Sequence, residues 1–117
     1  MANCGNTKEE KVHIGSVIKM SVNFGYQGTE LTLDDLDTVT LTYFSPISKS
    51  LGVSFTKDDL IRRDTGSGVE WFAIVDTSLV GKGQMKLRVD AMIPDADVPE
   101  VAERREVEET ETNVTII

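Results

Sequence analysis

The residue types that could do chemistry in this chain of 117 residues are thinly spread. His13 is the single histidine and Cys4 the single cysteine. A zinc-type centre needs three or four His, Cys or carboxylate ligands brought together, and His13 has neither a second histidine nor a nearby cysteine or carboxylate pair. A serine nucleophile needs a partnered histidine, and His13 stands near the N-terminus without that context. Asp34, Asp35 and Asp37, in LTLDDLD, could suggest calcium. The spacing lacks the glycine and the distal glutamate of an EF-hand loop, so turn and cap duty is the expectation. Neither GxxxxGK[ST] nor GxGxxG occurs, and Gly66-Ser67-Gly68 and Gly81-Lys82-Gly83 read as turns between strands. The sequence therefore predicts no catalytic residue, no cofactor-binding residue and no metal ligand. It predicts a protein that is not an enzyme.

Charge narrows the partners. The formal net charge is −8, whereas phosphate binding needs clustered Lys and Arg, so no nucleic-acid partner is expected. The acidity is uneven. From Asp95 to Glu111 eight acids stand against Arg104 and Arg105, a local charge of −6. Such a run reads as a solvated surface or as an interface for a basic neighbour. No apolar run approaches the roughly 20 residues of a membrane span, and MANCGNTKEEKVH lacks the pattern of a signal peptide, so no membrane partner is expected. With one cysteine no internal disulfide can form.

The elements that must carry these residues are strands. Gln84–Ile93 is the cleanest. Met85, Leu87, Val89, Ala91 and Ile93 fall on one face, with Gln84, Lys86, Arg88 and Asp90 on the other, because successive strand side chains point to opposite sides. Val12–Phe24 repeats the period, with a bend at Gly15-Ser16. Thr38–Phe44 is almost wholly β-branched or aromatic and ends at Ser45-Pro46. Leu51–Thr56 follows, with Val53 and Phe55 on one face. Lys57–Arg63 fits one helical turn or a strand with Leu60 inward. Val69–Val75 is apolar on both faces, which predicts a central strand covered on both sides, with Trp71 in the core. Asp76-Thr77-Ser78 predicts a local cap, with Leu79-Val80 tucked into one end of the domain. Glu103–Thr110 suits an exposed edge strand, whose charges discourage stray pairing. Asn113–Ile117 predicts a docked last strand.

Seven or eight short strands, turn signals every 8–12 residues and no amphipathic helix predict an all-β fold. The architecture expected is an antiparallel β-sandwich, immunoglobulin-like in the broad sense, with a small closed barrel as the alternative. Residues 1–11 are expected to form a flexible leader and residues 12–117 a single domain.

The order of features also carries a resemblance. LTLDDLDTVTLTYFSP is followed by a DTSLVGKG step (Asp76–Gly83), a long alternating strand, an IPDADVP exit (Ile93–Pro99) and an RREV segment (Arg104–Val107) before an apolar end. This resembles short β-sandwich structural proteins of Bacteroidales phages and prophages. It is distantly similar to the N-terminal domain of the baseplate upper protein of tailed phages. The resemblance implies a virion structural protein, made in the bacterial cytoplasm, acting as a small adaptor or decoration domain of a tail, baseplate or head-fibre assembly. Its implied partners are other virion proteins and, through symmetry, further copies of itself or a symmetric ring. A carbohydrate- or host-surface-binding module is the alternative, with Tyr26, Tyr43, Phe44 and Trp71 as its candidate aromatics.

Overall fold

The computed structural model describes residues 9–22, 36, 38–48, 51–64, 66, 68–94, 96–98 and 103–117. Among these residues eight strands form two sheets: β1 (Glu10–Val12), β2 (Val17–Val22), β3 (Val39–Phe44), β4 (Val53–Thr56), β5 (Ile61–Asp64), β6 (Val69–Asp76), β7 (Gly83–Pro94) and β8 (Glu103–Ile116). One sheet has the order β1-β8-β7-β3-β4 and the other β2-β6-β5. This is the expected all-β sandwich. Three antiparallel pairs are consecutive in sequence (β3–β4, β5–β6 and β7–β8), and other connections carry the chain from one sheet to the other.

The core follows from period-2 alternation. On β7, Met85, Leu87, Val89, Ala91 and Ile93 are all buried, as their spacing requires. Opposite them lie Val39, Leu41 and Tyr43 of β3, and from the second sheet Met20, Val22, Trp71, Ala73 and Val75. Phe55 of β4 packs its ring edge against Tyr43, centroids 5.9 Å apart at 77°.

Two expectations resolve into finer structure. The bend at Gly15-Ser16 is a change of sheet, not a kink within one strand. Gly15 takes φ +97°, a region glycine enters without steric cost. The chain thereby leaves β1 in the large sheet and enters β2 in the small one. Glu10 and Lys11, placed in the leader by sequence, belong to β1. Lys57–Arg63 is both alternatives in series: a 3-10 turn at Lys57–Asp59, then Leu60 turned into the core, then β5. The turn is closed by Asp59, whose carboxylate accepts from the Thr56 N–H at 2.9 Å and the Thr56 hydroxyl at 3.0 Å.

One expectation is corrected. β6 is central in its sheet but is covered on one side only. Trp71, Ala73 and Val75 are buried, while Ile74 on the other face is exposed and Phe72 half-buried. Phe72 is shielded by cations from its two flanking strands: Lys19 of β2 stands 4.5 Å from the ring centroid and Arg63 of β5 5.5 Å. An aromatic capped by cation stems can face water, so an apolar residue on both faces does not require a second layer.

The first and last strands pair in parallel, Glu10 with Val114 and Val12 with Ile116. This closes the sandwich across nearly the whole sequence. β8 carries a bulge in its pairing with β7: Gln84 pairs with Thr115 but Lys86 with Glu111. Thr112 fills the irregularity. Its hydroxyl donates to the Met85 carbonyl at 2.7 Å and accepts from the Val114 N–H at 3.2 Å, so a side chain stands in for the interrupted ladder.

Candidate functional site

Among the described residues the candidates for chemistry are not brought together. His13 is exposed in the link after β1. Among the described residues no group of three or more His, Cys, Asp or Glu could hold a metal ion. Cys4, Tyr26, Asp34, Asp35 and Asp37 lie outside the described residues. Of the candidate glycan-stacking aromatics, Tyr43 and Trp71 are core residues and Phe44 is half-buried at the end of β3. Trp71 leaves its indole Nε1 buried without a hydrogen-bond partner, with the Arg62 guanidinium 6.0 Å from its ring centroid.

The joint from Asp76 to Gly83 is tied to its surroundings by several hydrogen bonds. Asp76 caps a single helical turn, α1 (Thr77–Val80), by accepting from the Ser78 hydroxyl at 2.6 Å and the Ser78 N–H at 3.0 Å. Those two bonds hold its carboxyl below the usual carboxylate range. Thr77 is fully buried. Its hydroxyl donates to the Ser16 carbonyl at 2.7 Å and accepts from the Gly15 N–H at 2.9 Å, which ties the β1–β2 link to α1. Val80 enters the core as expected, but Leu79 points outward and is half exposed. After α1, Gly81 and Gly83 let the chain pass against the 45–48 loop. The Ser45 and Ser48 hydroxyls both donate to the Lys82 carbonyl, at 2.8 and 3.2 Å.

The second surface is acidic. β8 pairs with β7 from Glu103 to Ile116, whereas β1 accompanies it only over Val114–Ile116. Glu108, Glu109 and Glu111 stand exposed along it. On its outward face Arg105 bridges to Asp90 of β7, Nε to Oδ1 at 3.0 Å. That guanidinium bond holds the Asp90 carboxyl below its ordinary value and raises Arg105 above its own. Arg104 pairs with Glu106 along the same strand. The result is a strand with more acids than bases, on which Glu109 and Glu111 stand opposite Arg88 and Lys86 of β7.

No helix among the described residues is long and apolar enough to cross a membrane. Comparison of the chain with protein-family models, with curated proteins and with solved structures finds no match.

Proposed function

We propose that this chain is a structural protein of a phage particle, a small adaptor or decoration domain acting through protein–protein contacts in a tail, baseplate or head-fibre assembly. The observation that carries the reading is the acidic surface of β8. Exposed Glu108, Glu109 and Glu111 are displayed on a strand that β7 holds rigid. Glu109 and Glu111 share one face beside Arg88 and Lys86 of β7, Glu108 faces the other way, and the strand's net acidity suits a basic neighbour and steers its approach. The particle itself enters through the resemblance of the Asp76–Gly83 joint, the IPDADVP exit and the RREV segment to phage β-sandwich proteins. An immunoglobulin-like sandwich, in the broad sense, suits repeated contacts because its surface strands are fixed by a continuous core.

The test is to purify intact particles from a host that carries the gene and to quantify the chain's peptides by mass spectrometry. Co-purification in fixed ratio to the major capsid protein is expected. Absence from particles, in cells that make the protein well, would overturn the reading.

A further inference from the structure

The two sheets are unequal. Among the described residues one has five strands and the other three, in the orders β1-β8-β7-β3-β4 and β2-β6-β5. Short links tie them at both sides. Gly15 turns the chain from β1 to β2, and Lys57–Leu60 carries it from β4 to β5. Neighbouring strands stand ~4.8 Å apart, so three strands do not cover five, and the large sheet overhangs. On the β4–β5 side the overhang shows in burial. Val53 and Phe55 of β4 lie opposite Tyr43 and Leu41, on the core face, yet both are only half-buried.

β5 is the strand that stops short of covering them. Its residues, Ile61–Asp64, are exposed on both faces. β6 pairs with one of its edges, and among the described residues no strand and no backbone hydrogen bond reaches the other. In an antiparallel pair alternate residues turn their N–H and C=O away from the partner, so β5 offers a short row of open donors and acceptors. β2, the other edge of the same sheet, differs. Its inward residues Met20 and Val22 are buried, so the core is closed on that side.

We infer that the open edge of β5 docks an extended, carboxylate-bearing segment of a partner protein, added as a fourth strand of the small sheet; this rests on the protein acting through protein–protein contacts. The backbone selects the form of the occupant, because only an extended chain matches the spacing of a strand edge. Val53 and Phe55 select apolar side chains on its inward face, since a strand added beside β5 lies over β4. Charge selects the rest. Arg62 and Arg63 stand on opposite faces of β5, across from Trp71 and Glu70 of β6. The Arg63 guanidinium lies 5.5 Å from the Phe72 ring centroid and that of Arg62 6.0 Å from the Trp71 centroid, which holds both beside the edge. Charge on an edge strand turns away segments of its own sign. Here that sign is positive in a chain of net charge −8, so the edge refuses basic strands and accepts acidic ones.

The probe is a short blocked peptide of alternating glutamate and valine, titrated into the full chain and followed by the amide NMR spectrum. Shifts should centre on the amides of Ile61–Asp64, with slowed hydrogen exchange there. An alternating lysine–valine peptide should bind at least about tenfold more weakly. So should the glutamate peptide with its backbone nitrogens methylated, which keeps the side chains and removes the strand hydrogen bonds. The double variant Arg62→Glu/Arg63→Glu should exchange the preference between the glutamate and lysine peptides, with circular dichroism confirming its fold. No binding of the glutamate peptide, equal binding of the lysine peptide, or shifts centred on another strand would overturn the inference. So would loss of the β5 signals with rising protein concentration alone, which would make a second copy the occupant. Because these measurements use the isolated protein, their failure leaves the particle reading standing, and absence from particles leaves them interpretable.

Discussion

Gly81 stands at φ +89° and ψ 169°, a backbone region that is essentially glycine's alone. A methyl group there would also lie 2.5 Å from the Ser48 hydroxyl oxygen. Gly81→Ala is therefore expected to destabilise the fold by about 1–3 kcal/mol from backbone strain alone. Chemical denaturation of the variant beside the wild type measures it. Thr112 makes a different demand, since its hydroxyl serves the Met85 carbonyl and the Val114 N–H at once. Thr112→Val keeps the shape and leaves both backbone groups short of a partner, an expected loss of about 2 kcal/mol. Thr112→Ser should restore most of it. Trp71 reverses the logic, because its Nε1 is already unpartnered. Trp71→Phe removes a buried donor that bonds to nothing and should cost far less than Trp71→Ala, for which about 3–5 kcal/mol is expected. Urea unfolding midpoints of the two variants separate the outcomes.

At the scale of elements, the strands legible in the sequence are those whose periodicity decides burial by itself. β7 and β3 are of this kind, and the charged first half and apolar end of β8 were each visible as separate segments. That they are one strand was not visible, because the break between them is bridged by a threonine side chain and not by a turn residue. The outer face of β6 was misjudged because its shielding comes from Lys19 and Arg63, one strand away on either side. A reading along one strand cannot see its neighbours. The Asp76 cap was legible from Asp-Thr-Ser, and it makes a pH-dependent prediction. Its folded-state carboxyl is held low by Ser78, so its contribution is present above the ordinary carboxylate pKa of about 3.9 and lost as pH falls through the lower folded value. Asp76→Ala should lower the thermal midpoint at neutral pH, and the gap from wild type should narrow as the pH falls through the lowered folded value. The β8 acids bear on specificity of pairing. Replacing Glu108, Glu109 and Glu111 together by Thr should raise light scattering severalfold during refolding, since charge on a marginal strand opposes stray sheet extension.

For the whole molecule, residue counts bound what could be assembled: the chain has one histidine and one cysteine. The contact surfaces were less legible. The leader and the acidic segment stand out in composition, but the exposed aliphatics at one end of the sandwich (Ile14, Val17, Ile47, Leu51, Leu79 and Ile117) come from five different strands, turns and links. Ile14 and Ile117 are brought there by a pairing that spans the chain, and no local pattern announces it.

That pairing has a mechanical meaning. β1 and β8 run parallel, so the chain enters at one end of the paired segment and leaves at the other. Tension applied in opposite directions at Glu10 and Ile117 slides the two strands along each other. The bonds from Ile117 N–H to the Val12 carbonyl at 2.8 Å and from Ile14 N–H to the Ile117 carbonyl are then loaded together, in shear, and do not open one after another like a zip. A domain threaded this way resists pulling along its own chain axis.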